Sequence, residues 1–504
     1  MLLLTTLLAL AACSPPTKDP RTLTFLIESS PNNLDVRQGT DSQSERIGEL
    51  IYDPLVRKDA HFNLQPWLAT SWDRPDPLTW IFHLRAGVYF HDGHPLSAAD
   101  VAWSIRSMTN GAIITAKGGA FKATTAVDTP DPLTVIVHTS TPQPSLLFNL
   151  SDGLFGVVEA GAARDEGLHP IGSGPFRFVS QVQDKEVVLD RNPSYWAGPP
   201  SATIEHVRFQ VVPDTITAAL EMKKGSADVE SNVLTMDMVH ALSGSPNLRV
   251  STGPGARVDY LNFNVQDPAL SDGRVRQAIA FAIDRPALLA ALWRGHAHLA
   301  NTLLPPGHWA GAPNADLTQY PHDAARALQL LDAAGLKPDS HGIRLHLTMK
   351  TSTDETTRLE AQAMQAELRG VGIDLSLRST EFGTFYSDIT KGAFQMYLLR
   401  WIGSNEDPDI FHYCYATEMF PPKGANRGHY TNPRVNALLQ AATSSTDETI
   451  RRQDYIQIQQ ILAADLPTIP LWYPDNIVIH SARLTKLTLD PDGSFDFLRT
   501  AQLQ

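Results

Sequence analysis

Apolar residues recur at two spacings along this chain, and the alternation of those spacings is its first architectural signal. "IRLHLTMK" places Ile343, Leu345, Leu347 and Met349 at every second position, the period of a strand with one covered face. The next segment, "TRLEAQAMQAELRGVGI", switches to helical spacing through Ala361, Met364, Leu368 and Val371. "IDLSLRS" returns to period two through Ile373, Leu375 and Leu377, and a helix-like "EFGTFYSDITKG" leads into the strand "FQMYLLRW". Earlier, "TLTFLIES" reads as a strand, "SPNNLDVRQGTD" as a loop, and "SERIGELIYDPL" as a helix with Ile47, Leu50 and Ile51 on one face. Strand, helix and strand in repeated order predict an α/β protein with parallel or mixed sheets covered by helices.

Between these regions lies "VDYLNFNV", a strand ending in asparagines, and then "RVRQAIAFAIDRPALLAALWRG". Val275, Ala278, Ile279, Ala282 and Ile283 form the stripe of a first helix. Asp284 then predicts the N-cap of a second, with Pro286 in its first turn and Gly295 ending it. At 504 residues the chain exceeds one ordinary core, so two or three packed units are expected. Two α/β halves joined near residues 260–265 would leave a cleft between lobes, a common small-molecule site.

A second candidate site comes from topology. "IGSNEDPD" follows the carboxyl end of a strand, where α/β sheets bind ligands. Its neutral reading is a solvated acidic connection, kept from helix by Pro408.

Charge and motifs narrow the function classes. The hydrophobic fraction of 42% and charged fraction of 19% are those of a globular protein. A net charge of −13 opposes a nucleic-acid partner, whose phosphates need a basic surface. The sequence carries no phosphate-binding loop, HExxH or GxSxG pattern. His91, Asp92 and His94 in "FHDGHPL" suit a turn and lack further ligands at recognisable spacing, and Asp407, Asp409, His412 and Cys414 sit among aromatics that favour a packed loop. No metal and no cofactor is therefore expected. Glu406, Asp407 and Asp409 crowd one loop, too close to flank opposite sides of a glycosidic bond.

At the N-terminus, Leu2 to Leu10 is too short to span a bilayer but suffices for a signal peptide. "LAAC" resembles a bacterial lipobox, with Cys13 as the lipidated residue; no Lys or Arg precedes the apolar run. The alternative is an ordinary secretory signal with an incidental cysteine. The other cysteine, Cys414, has no mature thiol partner and is expected to be a small buried hydrophobe.

Taken in order, "IYDPLV", "QPWLATSW", "TWIFHLRAGVYFHDGHPLSAADVAWSI", "IGSGPFRF", "DRNPSYW", "YLNFNV", "RVRQAIAFAIDRPALL" and "RWIGSNEDPDIF" resemble the extracytoplasmic solute-binding proteins of ABC importers, family 5, the dipeptide and oligopeptide class. The similarity runs from about Thr22 to the C-terminus. It implies a two-lobed periplasmic-binding-protein fold, type II-like, with an extra subdomain and a ligand cleft between the lobes. Residues 1–13 would be the lipoprotein signal and 14–21 a tether. Residues 22–44, 172–262 and 480–504 would form the first lobe, 45–171 the subdomain and 263–479 the second lobe.

The resemblance further implies a monomer held to the membrane by its lipid, in the periplasm or at the cell surface. It would deliver a peptide or another small solute to a permease with ATPase subunits, and would catalyse nothing. Alternatives are a nickel chelate, sugar or opine as solute and, from another class, an extracytoplasmic hydrolase using cleft carboxylates. Trp401 and Gly403 match one wall of the family's site, with Ser404 and Asn405 offering neutral hydrogen bonds. Gly39, Thr40 and Asp41 match a backbone-contacting loop, Arg358 a carboxylate-pairing arginine, and Arg400 is either a contact or a paired edge charge. Ser404 stands where peptide binders usually place the aspartate that meets a free amine. Either Asp41, Glu406, Asp407 or Asp409 replaces it, or the ligand has no amine there.

Overall fold

The computed structural model describes residues 19–115, 117–163, 165–403 and 406–504. Cys13, Ser404 and Asn405, and the roles expected of them, lie outside the described residues.

Two mixed sheets form the frame. The first has seven strands in the spatial order Leu248–Gly253, Asn476–Ser481, Val229–Ser231, Thr22–Ile27, His206–Val211, Glu186–Arg191 and Phe176–Val182. The second has six: Ala297–Leu299, Thr468–Pro474, Val258–Phe263, Met396–Trp401, Leu345–Ser352 and Ile373–Thr380. A separate four-stranded antiparallel sheet, Ala69–Asp76, Thr79–Leu84, Thr134–Thr139 and Thr124–Asp131, forms the subdomain.

The expected βαβ unit is present. Leu345–Ser352 and Ile373–Thr380 pair in parallel from Leu345 opposite Ile373. The intervening helix Glu355–Gly370 buries Ala361, Met364 and Leu368, the stripe read from spacing. Asp284 caps Arg285–Trp293 by accepting from Ala287 N at 3.0 Å. That helix ends with Arg294 and Gly295 both left-handed (φ 50° and 89°), a conformation glycine adopts without a steric penalty.

The chain changes sheets earlier than the resemblance implied. It crosses at 254–257 and again at Asp475, not near 262/263 and 479/480. Val258–Phe263 is buried along its whole length and hydrogen-bonded on both sides, so it is a central strand of the second sheet. Asn476–Ser481 is likewise enclosed in the first. At the crossing a Cβ on Gly255 would lie 2.1 Å from Pro474 O, so the two connections touch backbone to backbone and only glycine fits. The subdomain is also shorter than 45–171. Helix Ser42–Ile51 buries Ile47, Leu50 and Ile51 in the first-lobe core, while the subdomain core runs from Leu55 to Val157.

Four quoted motifs converge on one buried carboxylate. Asp53 of "IYDPLV" accepts from Trp67 Nε1 (2.8 Å) of "QPWLATSW" and Ser173 Oγ (2.9 Å) of "IGSGPFRF". It also accepts from Tyr195 OH (2.7 Å) and Trp196 Nε1 (2.8 Å) of "DRNPSYW". A buried ion demands such partners, so these motifs hold the subdomain to the first lobe.

Candidate ligand cleft

Helix Ser42–Ile51 presents Ser42, Glu45, Arg46 and Glu49 to a chamber between the lobes. The short strand Val56–Lys58 contributes Lys58, the turn after helix Leu146–Asn149 Asp152 and Gly153, and the C-terminal turn Asp492 and Ser494. From the second lobe come Ile402, Gly403 and Glu406, in the loop after Met396–Trp401. The unfilled space is about 720 Å³ and open to solvent.

The lobes touch around it. Lys58 Nζ lies 2.5 Å from Glu406 Oε2, both side chains being buried. His308 Nε2 meets Glu406 O at 2.9 Å, and its ring stacks on Phe62 at 5.9 Å. Ser145 Oγ of the subdomain donates to Asp409 Oδ2 at 2.5 Å, and Arg294 pairs with Asp237 at 2.6 Å.

Burial pushes the Glu406 carboxyl up to about 7 despite Lys58. Burial opposes charge on Lys58, yet Glu406, Asp152 and Asp492 together hold its ammonium well above the ordinary lysine value. Asp152 is raised by burial, and Asp490 reaches about 6 through burial and the charge of Asp492. The chamber thus holds acids in excess of bases.

The expected site residues disperse into several roles. Thr40 and Gly403 line the chamber; Gly403 has φ 74°, and its carbonyl accepts from Glu406 N at 2.9 Å. Gly39 is buried with Asn33 O 2.5 Å from where a Cβ would sit, an internal close approach. Asp41 caps helix Ser42–Ile51, accepting from Ser44 N (3.0 Å), Asn32 N (3.2 Å) and the Ser44 hydroxyl. Asp409 is held by Arg451 (2.9 Å), the Tyr455 hydroxyl and Ser145. Asp407, raised by burial and by Asp409, accepts from Asp409 N at 2.7 Å.

Arg400 donates to Asp354 Oδ1 (2.8 Å) and Thr357 Oγ1 (2.9 Å) beside a second interlobe cavity, the paired-charge alternative. Arg358 is exposed on its helix and is not among the chamber's lining residues. Trp401 stacks on Tyr260 (6.0 Å, 9°) under the Arg427 guanidinium (5.5 Å). Cys414 is buried, as expected, and burial pushes its thiol up to about 12.

Spacing gave no sign of Glu49, Lys58, Asp152 or Asp492. Each lies in an ordinary amphipathic or turn segment, and only tertiary folding brings them together.

Two sheets joined by two crossing segments, with a polar chamber between them, define a two-lobed solute-binding protein. The family description "Bacterial extracellular solute-binding proteins, family 5 Middle" matches residues 63–418, and the chain belongs to that family. It is 27% identical to the probable di/tripeptide-binding protein 5 of Pseudomonas aeruginosa (strain UCBPP-PA14), over 95% of both chains. Among solved structures it resembles NikA from Brucella suis in complex with Fe(III)-EDTA, with a TM-score of 0.86 and 24% identity over 96% and 100% of the chains. It also resembles the periplasmic binding protein DppA from Helicobacter pylori in complex with peptide STSA, with a TM-score of 0.77 and 25% identity over 96% and 98%.

Proposed function

We propose that this protein captures peptides or closely related solutes in the interlobe chamber and delivers them to an ABC permease, tethered outside the cytoplasm through a lipid on Cys13. The observation that carries this reading is the chamber itself, lined from both lobes and bridged by the buried Lys58–Glu406 contact. A site shared between lobes lets a ligand favour the closed arrangement simply by contacting both. Relatives named for di- and tripeptides support a peptide over other solutes. Capture and release need no bond-making step, and none of the chamber's side chains is assigned one.

Incubation with a mixed peptide library, followed by mass spectrometry of what the protein retains, tests the reading. Intact bound peptides are expected; cleavage products would replace it with the hydrolase alternative, and an empty protein would remove peptides as ligands. Cys13→Ser should release the protein from membranes, and unchanged membrane association would refute the lipid anchor.

A further inference from the structure

We infer that the chamber wall around Glu49 receives a protonated amine of the bound solute, with Glu49 as the acceptor and Asp152 and Asp492 flanking it. The inference rests on the chamber being the solute site. Its starting point is an anomaly of pairing. Glu49 Oε2 is sealed from solvent with no hydrogen-bond partner, whereas buried polar groups are nearly always satisfied.

The nearby cations are engaged with other groups, although Arg57 keeps its Nε without a hydrogen-bond partner. Lys58 is paired with Glu406 (2.5 Å), Lys117 lies 3.5 Å from Glu45, and Arg57 binds Asp496 (3.0 Å). Arg46, on the same helix, packs over the Phe495 ring. The backbone N–H groups of Lys58 and Ser494 are also used, donating to Asp152 Oδ1 (3.1 Å) and Asp492 Oδ1 (2.9 Å). Glu49 also lines the adjoining cavity that extends toward Asp490 and Phe62, so it stands between two open volumes.

Geometry favours an amine over a metal ion. Among the described residues, one His/Asp/Glu group brings its ligand atoms within 4.8 Å of one another: Asp92, His94 and Glu159. The chamber acids do not converge in that way, and the Lys58 ammonium among them would repel a bare divalent ion. An ammonium instead uses separate N–H donors toward carboxylates several ångströms apart. Such a placement moves the amine clamp from the loop holding Ser404 to the first lobe.

Protonation follows from the surroundings. Burial, then the charges of Asp492 and Asp152, raise Glu49 well above the ordinary glutamate value, with Lys58 and Arg57 opposing. An ammonium beside Glu49 opposes that rise, so amine binding shifts the carboxyl back toward its charged form. Binding of an amine should therefore be accompanied by proton release.

The test compares wild type with Glu49→Gln and Asp492→Asn, which keep shape and remove charge. Probes are trialanine, N-acetyl-trialanine, an N-acetylated lysine-containing tripeptide and 1,4-diaminobutane, measured by calorimetry in two buffers of different ionisation enthalpy. Wild type should bind the matching amine roughly ten- to a hundredfold more tightly than its acetylated counterpart, with proton release. Glu49→Gln should erase both the preference and the release. Preference for trialanine identifies the α-amine as the source, and binding of the lysine peptide identifies a side-chain amine. Glu49-dependent binding of the diamine without any peptide would keep the amine site and discard the peptide reading. If Glu49→Gln binds every amine probe as wild type does, the inference is overturned, whether or not peptides bind.

Discussion

Removing Lys58 gives a sharp test of the closed chamber, because the pH dependence of the defect follows from Glu406. In Lys58→Met the aliphatic stem is kept and the charge is lost. Closing the lobes then buries Glu406 alone, and breaking a buried pair by deleting one partner costs about 3–5 kcal/mol. Glu406 has a cheaper route, since it can take up a proton first. In an open cleft its carboxyl would titrate near the ordinary value of 4.5. Protonating it at pH 7 costs about 1.4 kcal/mol for each of 2.5 pH units, or about 3.4 kcal/mol, which caps the penalty. A buried ion pair is roughly break-even against neutral packing, so wild type is the reference and ligand affinity should fall by at most about 300-fold at pH 7. At pH 5 the same step costs about 0.7 kcal/mol, and the loss should shrink to about threefold.

The assay is calorimetric affinity for a confirmed ligand at pH 5 and pH 7, with small-angle scattering to follow compaction. Each variant is compared with wild type at the same pH, which removes effects common to both. Lys58→Met/Glu406→Gln, with no charge left to bury, should bind similarly at both pH values. A Lys58→Met defect as large at pH 5 as at pH 7, or no defect at pH 7, would refute the role of the pair in closure.

Gly255→Ala should lower the urea midpoint or abolish folding, at a cost of about 3 kcal/mol or more, because its Cβ would sit 2.1 Å from Pro474 O; an unchanged midpoint would mean the crossing segments do not touch. Asp53→Asn turns an acceptor into a donor facing the Trp67 or Trp196 indole, and an indole cannot reverse its N–H as a hydroxyl can. A loss of about 3 kcal/mol in thermal or urea unfolding is expected, and a neutral result would remove Asp53 as the organiser of that junction. Between pH 6.5 and 8, stability should fall, with Glu230 and Glu406 alone contributing roughly 2–3 kcal/mol, because burial raises them to about 8 and about 7 and unfolding releases their protons; Glu360 and Asp407, raised to about 8 and about 7, add in the same direction. Below 6.5, His91 and His308, which burial lowers to about 4, act in the opposite direction. In the upper window the acids outweigh what remains of the histidine titration, and a flat urea midpoint there would show that they do not hold their protons.

The contrast between what was legible in the chain and what was not has a physical cause. Periodicity exposes any residue whose role is set by its own element. The stripe Ala361, Met364 and Leu368 and the cap Asp284 could be read because a helix places i, i+3 and i+4 together whatever else the chain does. Family resemblance reached further, to the two-lobed fold and to the motifs that contain Asp53 and its partners, though it gave Asp53 itself no role. The chamber was not legible by either route. Glu49 shares an amphipathic helix with Ile47 and Leu50 and reads as its solvent face; only the approach of Asp152 and Asp492 from distant segments makes it an acceptor without a donor. The acidic loop illustrates the converse. Glu406 and Asp409 drew notice as a dense local cluster, yet each is held by a partner far away in sequence, Lys58 for one and Ser145 with Arg451 for the other. Local density of carboxylates therefore marked where the lobes are fastened, and the carboxylate left for a ligand lies where sequence spacing is silent.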